Sequence, residues 1–452
     1  MAVIWPSLLF LTLVSAKYTA DWDSLDARPI PQWYDEAKFG IFCHWGVYSV
    51  PAYRSEWFWW YWKGTQPDVN VVSYMEKNYK PGTTYADFAK DFTAELFDPK
   101  EFVDTVQASG AKYFVLTSKH HEGFTMWPSR TSWNWNSLDI GPKRDIVGDL
   151  KDAFKTTNVR YGLYFSQFEW FNPLFIEDGH HNTSLYSKLI SYPQMLEIVS
   201  KYRPEIVWSD GEWDKTDEYW RSREFLAWLY NSSPVKESVV VNDRWGAGTI
   251  GKHGGFFTYS DHYDPGKLLA RKWENCMTLD KNSWGNRRTM KSEDVHTVYE
   301  LISQIARTVS CNGNVLLNIG PDMHGRIPPI FEDRLREMGK FLDLQQTFGT
   351  LQKYRDRKHH QGLYNAQLQK QTIIYAWVLN TNFDVLELDC VKLTKQTKVT
   401  FMSTDRSIIP GQPGSALRIS HGDVPWRDLL RRDVFILKIE YAAGETRDPL
   451  NP

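Results

Sequence analysis

The sequence predicts an α/β fold, a (β/α)8-like TIM barrel, followed by a C-terminal antiparallel β-sandwich. Up to about residue 345, short and continuously apolar segments alternate with amphipathic helical patterns. This alternation is typical of parallel strands that are buried on both faces of a sheet. After about residue 350, several apolar segments alternate with polar residues, and no long helical pattern separates them. The second pattern is typical of an antiparallel sandwich.

Six strands can be assigned in the first part, and each one after the first follows a helical pattern. They cover residues 39–44, 113–118, 161–166, 206–209, 239–242 and 315–319. Two more strands are expected in the loop-rich stretch between residues 254 and 284, because eight strands close a barrel of this kind. An open doubly wound sheet is the alternative. No G-x-G-x-x-G motif follows the first strand, so a dinucleotide-binding fold has little support.

The clearest helical pattern precedes the last barrel strand. Ser292 can cap it, and an apolar stripe runs from Val295 to Val309. The second part contains five strand-like segments, at residues 372–379, 385–393, 397–402, 416–420 and 434–441. A polar, charged stretch lies between the two parts. We therefore expect a catalytic barrel over residues 17–346 and a sandwich over residues 347–452.

The first 16 residues, MAVIWPSLLFLTLVSA, are typical of a secretory signal peptide. An apolar run precedes small residues suited to cleavage, although no Lys or Arg precedes it. A membrane anchor is the alternative, but the run is too short to span a bilayer. Two N-glycosylation sequons, at Asn182 and Asn231, fit the secretory route, and Pro234 follows the second. The sequence therefore predicts no membrane span and a lysosomal or secreted protein.

Composition restricts the class of protein. The net charge is −2 over 452 residues. Proteins that bind nucleic acid usually have a basic face, so this charge argues against a nucleic-acid partner. Most of the 21 tryptophans lie between Trp22 and Trp284. Aromatic faces suit the C–H faces of sugars, and a Trp-rich core is the alternative. The four cysteines form no C-x-x-C motif, so a zinc site is not indicated, and Cys43 is expected to be a buried thiol.

Polar side chains follow the first five barrel strands, where the active site of such a barrel lies. These strand ends read His44-Trp45-Gly46, Lys119-His120-His121-Glu122-Gly123, Tyr164-Phe165-Ser166, Trp208-Ser209-Asp210 and Asn242-Asp243-Arg244-Trp245. Because side chains alternate along a strand, Ile206, Trp208 and Asp210 should share one face. If that face is the barrel interior, Asp210 rises into the mouth above Trp208. An ordinary Asp-Gly turn is the alternative.

The strand ends lack the motifs of other hydrolases. The sequence contains neither G-x-S-x-G for a serine hydrolase nor H-E-x-x-H for a zinc protease. His120 and His121 should point to opposite faces of an extended chain, which is unsuited to one metal but suited to two hydrogen bonds. Hydrolysis of a glycoside needs two carboxyl groups, and binding of a sugar needs many hydrogen-bond partners and an aromatic wall. The strand ends offer all of these.

Several segments, in order, resemble the retaining α-L-fucosidases. They are FGIFCHWGVYSVPAYRSEWF, KHHEGFTMW, IVWSDGEW, VVNDRWG, RKWENC and LLNIGPDMHGRIPP, and they span about Asp21 to Leu344. The resemblance implies a barrel with a sandwich and release of α-L-fucose from glycans, glycoproteins or glycolipids. It also implies no metal or organic cofactor and a homo-oligomer. A catalytically inactive fucose lectin and a retaining glycosidase for another sugar are the alternatives.

The resemblance also implies roles for individual residues. Asp210 matches the nucleophile, and Glu56 and Trp57 match a segment that closes over the sugar. Tyr164 is expected in the same shell, and Trp284 is expected to form a wall for the methyl group of fucose. The residues that match those holding the fucose hydroxyls and ring are His44, His120, His121, Trp208 and Arg244.

Two residues are candidates for the acid/base, and the resemblance fits both. Asp261 is preferred, because desolvation by Phe257, Tyr259 and Tyr263 would raise its pKa, as a general acid requires. Glu274 is the alternative, but Lys272 and Arg271 would lower its pKa if they are near. In the retaining mechanism Asp210 attacks the anomeric carbon while the acid protonates the leaving oxygen. The two carboxyl groups should then lie about 5–5.5 Å apart.

Overall fold

A seven-stranded parallel sheet forms the first part of the computed structural model. The structure describes residues 17–344, 354–355, 362–368, 371–408, 410–430 and 434–442. The predicted signal peptide lies outside these residues. The strands are β1 (Phe39–Cys43), β2 (Tyr113–Lys119), β3 (Arg160–Ser166), β4 (Ile206–Asp210), β5 (Val240–Val241), β6 (Trp273–Thr278) and β7 (Gly313–Ile319). Their order in the sheet is β5-β4-β3-β2-β1-β7-β6.

Residues 255–258 join the two edges of this sheet. The amide of Phe256 donates to the carbonyl of Val241 in β5 at 3.1 Å, and that of Phe257 donates to Lys272 at 3.0 Å. The amide of Glu274 in β6 donates in turn to the carbonyl of Phe257 at 2.8 Å. The segment therefore occupies the eighth position of a closed barrel. The two elements expected between residues 254 and 284 are this segment and β6, and the barrel is confirmed.

Helices surround the sheet and connect its strands. They are α1 (Trp22–Asp26), α2 (Gln32–Ala37), α3 (Phe58–Lys63), α4 (Val69–Asn78), α5 (Pro99–Ala108), α6 (Ile146–Phe154), α7 (Pro173–His181), α8 (Tyr192–Tyr202), α9 (Asp217–Trp220), α10 (Ser222–Asn231), α11 (Val298–Ser310) and α12 (Pro329–Leu344). The expected Ser292 cap is wrong. Thr297 caps α11, because its side chain accepts from the amide of Glu300 while the Glu300 carboxylate accepts from the amide of Thr297.

Large side chains fill the barrel interior. Phe42, Tyr113, Tyr164, Trp208 and Leu316 belong to one buried cluster there. Such a core needs small residues where large ones cross it. At Gly40, for example, an added Cβ would lie 2.4 Å from the ring of Tyr113. Other apolar residues of the strands pack outward against the helices in a second, larger cluster.

Antiparallel strands form the second part. They are β8 (Tyr354–Arg355), β9 (Gly362–Leu368), β10 (Gln371–Val378), β11 (Val385–Lys392), β12 (Lys398–Phe401), β13 (Arg406–Ile408), β14 (Ala416–Ser420) and β15 (Phe435–Glu440), with a short helix α13 (Trp426–Leu430). One sheet has the order β13-β12-β15-β10-β9-β8, and β11 pairs with β14. Leu388 and Leu417 of the small sheet share a core with Phe401 and Leu437 of the large one. The predicted sandwich is thereby confirmed.

The sandwich packs against the barrel through the outer face of its large sheet. Tyr375, Trp377 and Ile436 belong to the main cluster of the barrel, and the hydroxyl of Tyr299 in α11 donates to the carbonyl of Leu379 at 2.7 Å. Among the residues that the structure describes, no helix combines the length and apolar character needed to cross a membrane.

Candidate active site

Asp210 ends β4 at the mouth of the barrel. Its carboxylate accepts from the Tyr164 hydroxyl at 2.7 Å and from Nη1 of Arg244 at 2.9 Å, and the residue is 8% exposed. Trp208 lies below it in the interior cluster, on the same face as Ile206, as predicted. Gly211 then turns the chain with φ of +69°, and an added Cβ would lie 2.8 Å from Phe168. The Asp-Gly pair is therefore a turn that directs a carboxylate into the barrel mouth.

Arg244 connects two carboxylates. Nη1 binds Asp210, and Nη2 binds Asp261 at 2.5 Å. The guanidinium lies 4.7 Å from the centre of the Trp208 ring, and Nε donates to Thr258. One cation thus fixes both candidate carboxyl groups and is itself supported by an indole face, an arrangement suited to cations.

Asp261 lies on the loop that follows residues 255–258, and 43% of its side-chain surface is exposed. Desolvation is the largest single effect and raises its pKa, but the charge and hydrogen bond of Arg244, together with His262 and Cys276, lower it by more in sum, so that the pKa falls below its usual value. The thiol of Cys276, 3.5 Å away, also donates to it. The expectation of a raised pKa is therefore wrong for the unliganded protein, because it omitted Arg244, which is distant in sequence.

Glu274 is fully buried inside the barrel, beneath Trp208. One carboxylate oxygen accepts from the hydroxyls of Tyr34 at 2.6 Å and Tyr113 at 2.7 Å, and the other accepts from Trp208 Nε1 at 2.9 Å. Burial raises its pKa more than the hydrogen bonds and Lys272 lower it. The expected lowering by basic neighbours is therefore wrong, since the Lys272 ammonium binds Asp35.

Two histidines at the mouth have Nδ1 atoms that contact a neighbouring side chain. Nδ1 of His44 contacts Asn318 Oδ1 at 2.7 Å, and Nδ1 of His121 contacts Ser166 Oγ at 2.7 Å. Nε2 of His121 lies 3.7 Å from Asp210 Oδ2. Burial and a neighbouring histidine lower the pKa of His44 to about 3 and that of His121 well below its usual value. Both rings are therefore neutral near pH 7.

The expectation that His120 and His121 point to opposite faces is wrong. Their ring centres are 4.0 Å apart, and both lie in the mouth. The reason is local: β2 ends at Lys119, and the chain then turns, with the amide of Gly123 donating to the carbonyl of His120 at 3.0 Å. The alternation of a strand does not continue into a turn.

Glu56 lies behind Trp284. Its carboxylate accepts from the amides of Trp284 at 3.1 Å and Gly285 at 3.0 Å, and the residue is buried. It therefore holds the turn that carries Trp284, whose ring lies 5.1 Å from that of His44. Trp57 is half-buried and meets the His121 ring edge-on at 5.4 Å. The structure thus brings all the predicted sugar-binding residues to one mouth, although Glu56 supports it from outside.

Comparison with known proteins identifies the family. The family model for alpha-L-fucosidase matches residues 10–347 of the chain. The chain belongs to the α-L-fucosidase family. A putative alpha-L-fucosidase of Caenorhabditis elegans is 62% identical and covers 98% of this chain and 97% of its own length. The tissue alpha-L-fucosidase of Rattus norvegicus is 49% identical over 88% of each chain.

The structural comparison agrees. The Thermotoga maritima alpha-fucosidase structure superposes with a TM-score of 0.76 at 30% identity, over 93% of this chain and 99% of that chain. The resemblance noted in the sequence is thereby confirmed, and this α-L-fucosidase is a glycoside hydrolase that releases fucose. The comparisons support neither a lectin nor a glycosidase for another sugar.

Sequence patterns assigned no role to several residues at the mouth of this fucosidase. Asn318 and Ser166 bind the histidines, and Cys276 contacts Asp261. Glu212 is 1% exposed, and burial and the Asp210 charge raise its pKa to about 8. The ring of Trp213 stacks on that of Trp57. Glu212 and Trp213 follow Asp210 in one motif, which was the only available signal for them.

The two sequons differ in accessibility. Asn182 is exposed at the end of α7. The Asn231 side-chain amide donates at 2.7 Å to the carbonyls of both Tyr18 and Ala227, so that its nitrogen is already occupied. Within the described part of the chain, no group of three or more His, Cys, Asp or Glu residues is arranged to hold a metal ion.

Proposed function

We propose that this α-L-fucosidase acts by double displacement with retention, with Asp210 as nucleophile and Asp261 as acid/base. The observation that carries the proposal is the Arg244 guanidinium, which binds Asp210 through Nη1 and Asp261 through Nη2. Two carboxyl groups on one guanidinium are close enough for the separation of about 5–5.5 Å that a retaining glycosidase requires. Tyr164 holds the second oxygen of Asp210 and so orients the carboxylate toward the mouth.

Access to the leaving group favours Asp261 over Glu274. A general acid must come within hydrogen-bond distance of the oxygen that it protonates. The Asp261 side chain is 43% exposed at the mouth. Glu274 has no exposed surface, and both of its oxygens accept hydrogen bonds from buried donors. A raised pKa alone would favour Glu274, but a proton there cannot reach a glycosidic oxygen past Trp208.

Because Asp210 and Asp261 share one cation, Arg244, the two carboxyl groups together can hold one proton. Asp210 and Asp261 carry two negative charges against the single positive charge of Arg244. A bound sugar would exclude water from the more exposed Asp261 and so raise its pKa. Asp210 keeps its bonds from Tyr164 and Arg244 and remains the anion. The two carboxyl groups would then differ in protonation, as their roles demand.

The side chains around the carboxylates fit fucose. His44, His120, His121 and Trp208 are proposed to bind the hydroxyls and the ring. Trp284 contacts Phe42 edge-on at 5.9 Å, and together they offer an apolar wall for the methyl group of fucose. One related Thermotoga maritima structure is described as a complex with fucose. We propose fucosylated glycans, glycoproteins or glycolipids as the substrates, and a homo-oligomer as the assembly.

A comparison of leaving groups tests the acid/base assignment. The Asp261→Ala variant should hydrolyse a fucosyl oligosaccharide far more slowly than wild type, because its leaving group needs protonation. An activated aryl fucoside should form the glycosyl-enzyme nearly normally, and azide should then give a fucosyl azide of retained configuration. The same signature from Glu274→Ala, and not from Asp261→Ala, would reverse the assignment.

We propose that the protein enters the secretory pathway and acts in lysosomes or outside the cell. Relatives named tissue and plasma alpha-L-fucosidase support this. Expression in a secretory host should give a mature chain that begins near Lys17. An intact Met1 in the secreted material would contradict the proposal.

A further inference from the structure

We infer that Asn318 and Ser166 are positioning residues that fix His44 and His121 as Nδ1–H tautomers, so that two Nε2 acceptors face the sugar. The inference rests on the proposed function and extends it, because it states which partner donates in the hydrogen bonds between the histidines and the sugar hydroxyls. It predicts that two fucose hydroxyls act as donors to imidazole nitrogens.

The side-chain amide of Asn318 has only one orientation that its neighbours accept. Its Oδ1 accepts from the backbone amide of His44 at 3.1 Å, and its Nδ2 donates to the backbone carbonyl of Trp284 at 2.6 Å. A flipped amide would set donor against donor and acceptor against acceptor at these two backbone groups. The atom that contacts His44 Nδ1 at 2.7 Å is therefore an oxygen, and Nδ1 must carry the proton.

A similar argument holds for Ser166. Its hydroxyl has one hydrogen, which it donates to the carbonyl of Phe168 at 2.8 Å. The hydroxyl oxygen, 2.7 Å from His121 Nδ1, can then only accept. His121 is therefore also an Nδ1–H tautomer. The two histidines lie on different loops, and independent partners impose the same tautomer on both.

The free Nε2 atoms point to a donor in the ligand. Nε2 of His121 lies 3.7 Å from Asp210 Oδ2, and neither atom carries a proton when His121 is neutral and Asp210 ionised. Two lone pairs that face each other at this distance repel, and a ligand hydroxyl that donates to one of them relieves this repulsion. A sugar hydroxyl beside the nucleophile can do so, whereas an ether or a fluorine cannot.

Burial, with a smaller effect of the neighbouring charges, keeps both rings neutral. His44 faces His120, which lowers its pKa, and Asp261, which raises it by less, and burial has the largest effect. His121 faces His120, His44, Lys119 and Arg244, all of which add to the lowering by burial. Asp210 Oδ2 lies 3.7 Å from Nε2 of His121. If either ring were an imidazolium, its Nε2 would carry a proton and would donate to the sugar hydroxyl instead of accepting from it.

Nuclear magnetic resonance of the free protein tests the tautomers without any substrate. In protein labelled with 15N at histidine, two-bond 1H–15N spectra distinguish Nδ1–H, Nε2–H and doubly protonated rings. The signals of His44 and His121 can be identified by their loss in His44→Asn and His121→Asn variants. We expect the Nδ1–H pattern for both at pH 6.5. An Nε2–H or imidazolium pattern for either ring would overturn the inference.

Ligand analogues test the consequence. At each hydroxyl, fucose is compared with the analogue that carries hydrogen and the one that carries fluorine. Where the hydroxyl donates to an imidazole nitrogen, both analogues should bind about tenfold more weakly than fucose, because fluorine accepts but does not donate. Fluorine that restores binding at every position would show that the histidines donate. Equal binding of all analogues would refute the proposed sugar site, and the tautomers would still be measured separately.

Variants connect the two measurements. In Ser166→Ala, His121 should lose the Nδ1–H pattern, the affinity penalty of one analogue pair should shrink, and kcat/KM should fall about tenfold. Ser118→Ala is the matched control, because Ser118 is also a buried strand serine that donates to a backbone carbonyl, and its hydroxyl makes no hydrogen bond to a histidine of the described part of the chain. In Asn318→Asp, His44 should become doubly protonated while His121 remains unchanged. A Ser166→Ala variant that keeps both the tautomer and full activity would contradict the positioning role.

Discussion

Removal of the Glu274 carboxylate should destabilise the barrel and weaken catalysis without any dependence on the leaving group. The carboxylate is the common acceptor for Tyr34, Tyr113 and Trp208 in the barrel interior. Glu274→Ala leaves Tyr34 and Trp208 without this acceptor, and Tyr113 keeps only a long contact of 3.4 Å to the carbonyl of Val315. Each such donor costs about 1–3 kcal/mol, but the variant also removes a buried charge, which offsets part of the cost. We expect a net loss of about 3–5 kcal/mol in the free energy of unfolding.

The same variant should disturb the site through Trp208. The Trp208 ring supports the Arg244 guanidinium at 4.7 Å, and Arg244 holds both carboxyl groups of the proposed mechanism. Loss of the bond to Trp208 Nε1 should therefore lower kcat by a similar factor for an activated aryl fucoside and for a fucosyl oligosaccharide. A general acid would behave differently, because its loss harms the poor leaving group far more.

The measurements are urea unfolding and steady-state kinetics on both substrates. Glu274→Gln is the control, because its Oε1 can still accept from Trp208 while its amide group donates to the two tyrosine hydroxyls. We expect Glu274→Gln to lose about 1–2 kcal/mol and to keep most of its activity. If Glu274→Ala is as stable as wild type, or if its activity loss depends strongly on the leaving group, the structural role assigned to Glu274 is wrong.

Three further predictions concern single residues. Burial and the Asp210 charge raise the pKa of Glu212 from 4.5 to about 8, so the folded protein holds a proton that the unfolded chain releases. As pH rises from about 4.5 to 8, wild type should therefore lose stability relative to Glu212→Gln. Urea unfolding should show a loss of up to about 1.4 kcal/mol per pH unit. Cys276→Ala removes a donor to Asp261, so the alkaline limb of the kcat/KM profile should move up by a few tenths of a pH unit. Peptide mapping should find glycan on Asn182 and not on Asn231, whose amide is occupied; a glycan on Asn231 would contradict this reading.

Sequence patterns were sufficient for the barrel and for the positions of the strand ends. The continuous apolar segments around Ile41, Val115 and Leu163 become neighbouring strands, and the polar residues after them meet at one mouth. The alternation along β4 correctly placed Trp208 inside and Asp210 above it. These features depend on local periodicity and on a topology that many sequences share, so they can be derived without knowledge of distant contacts.

Contacts between distant residues explain what the sequence could not predict. The pKa of Asp261 depends on Arg244, and that of Glu274 depends on burial beneath Trp208, which sequence neighbours do not reveal. Glu56 supports Trp284, 228 positions away, through backbone amides that no motif encodes. The pairing of His120 and His121 on one side of the mouth follows from a turn whose start the apolar pattern left undefined.

The central claim is that Asp210 forms a covalent bond to fucose while Arg244 holds it beside Asp261. An activated fucosyl fluoride with fluorine in place of the 2-hydroxyl should trap this intermediate, because the fluorine slows its hydrolysis. Mass spectrometry of the digested protein should then find one fucosyl group, on the peptide that contains Asp210, and fragmentation should assign it to that residue. A label on Asp261 or Glu212, or turnover that gives the inverted sugar and no trapped species, would contradict the account.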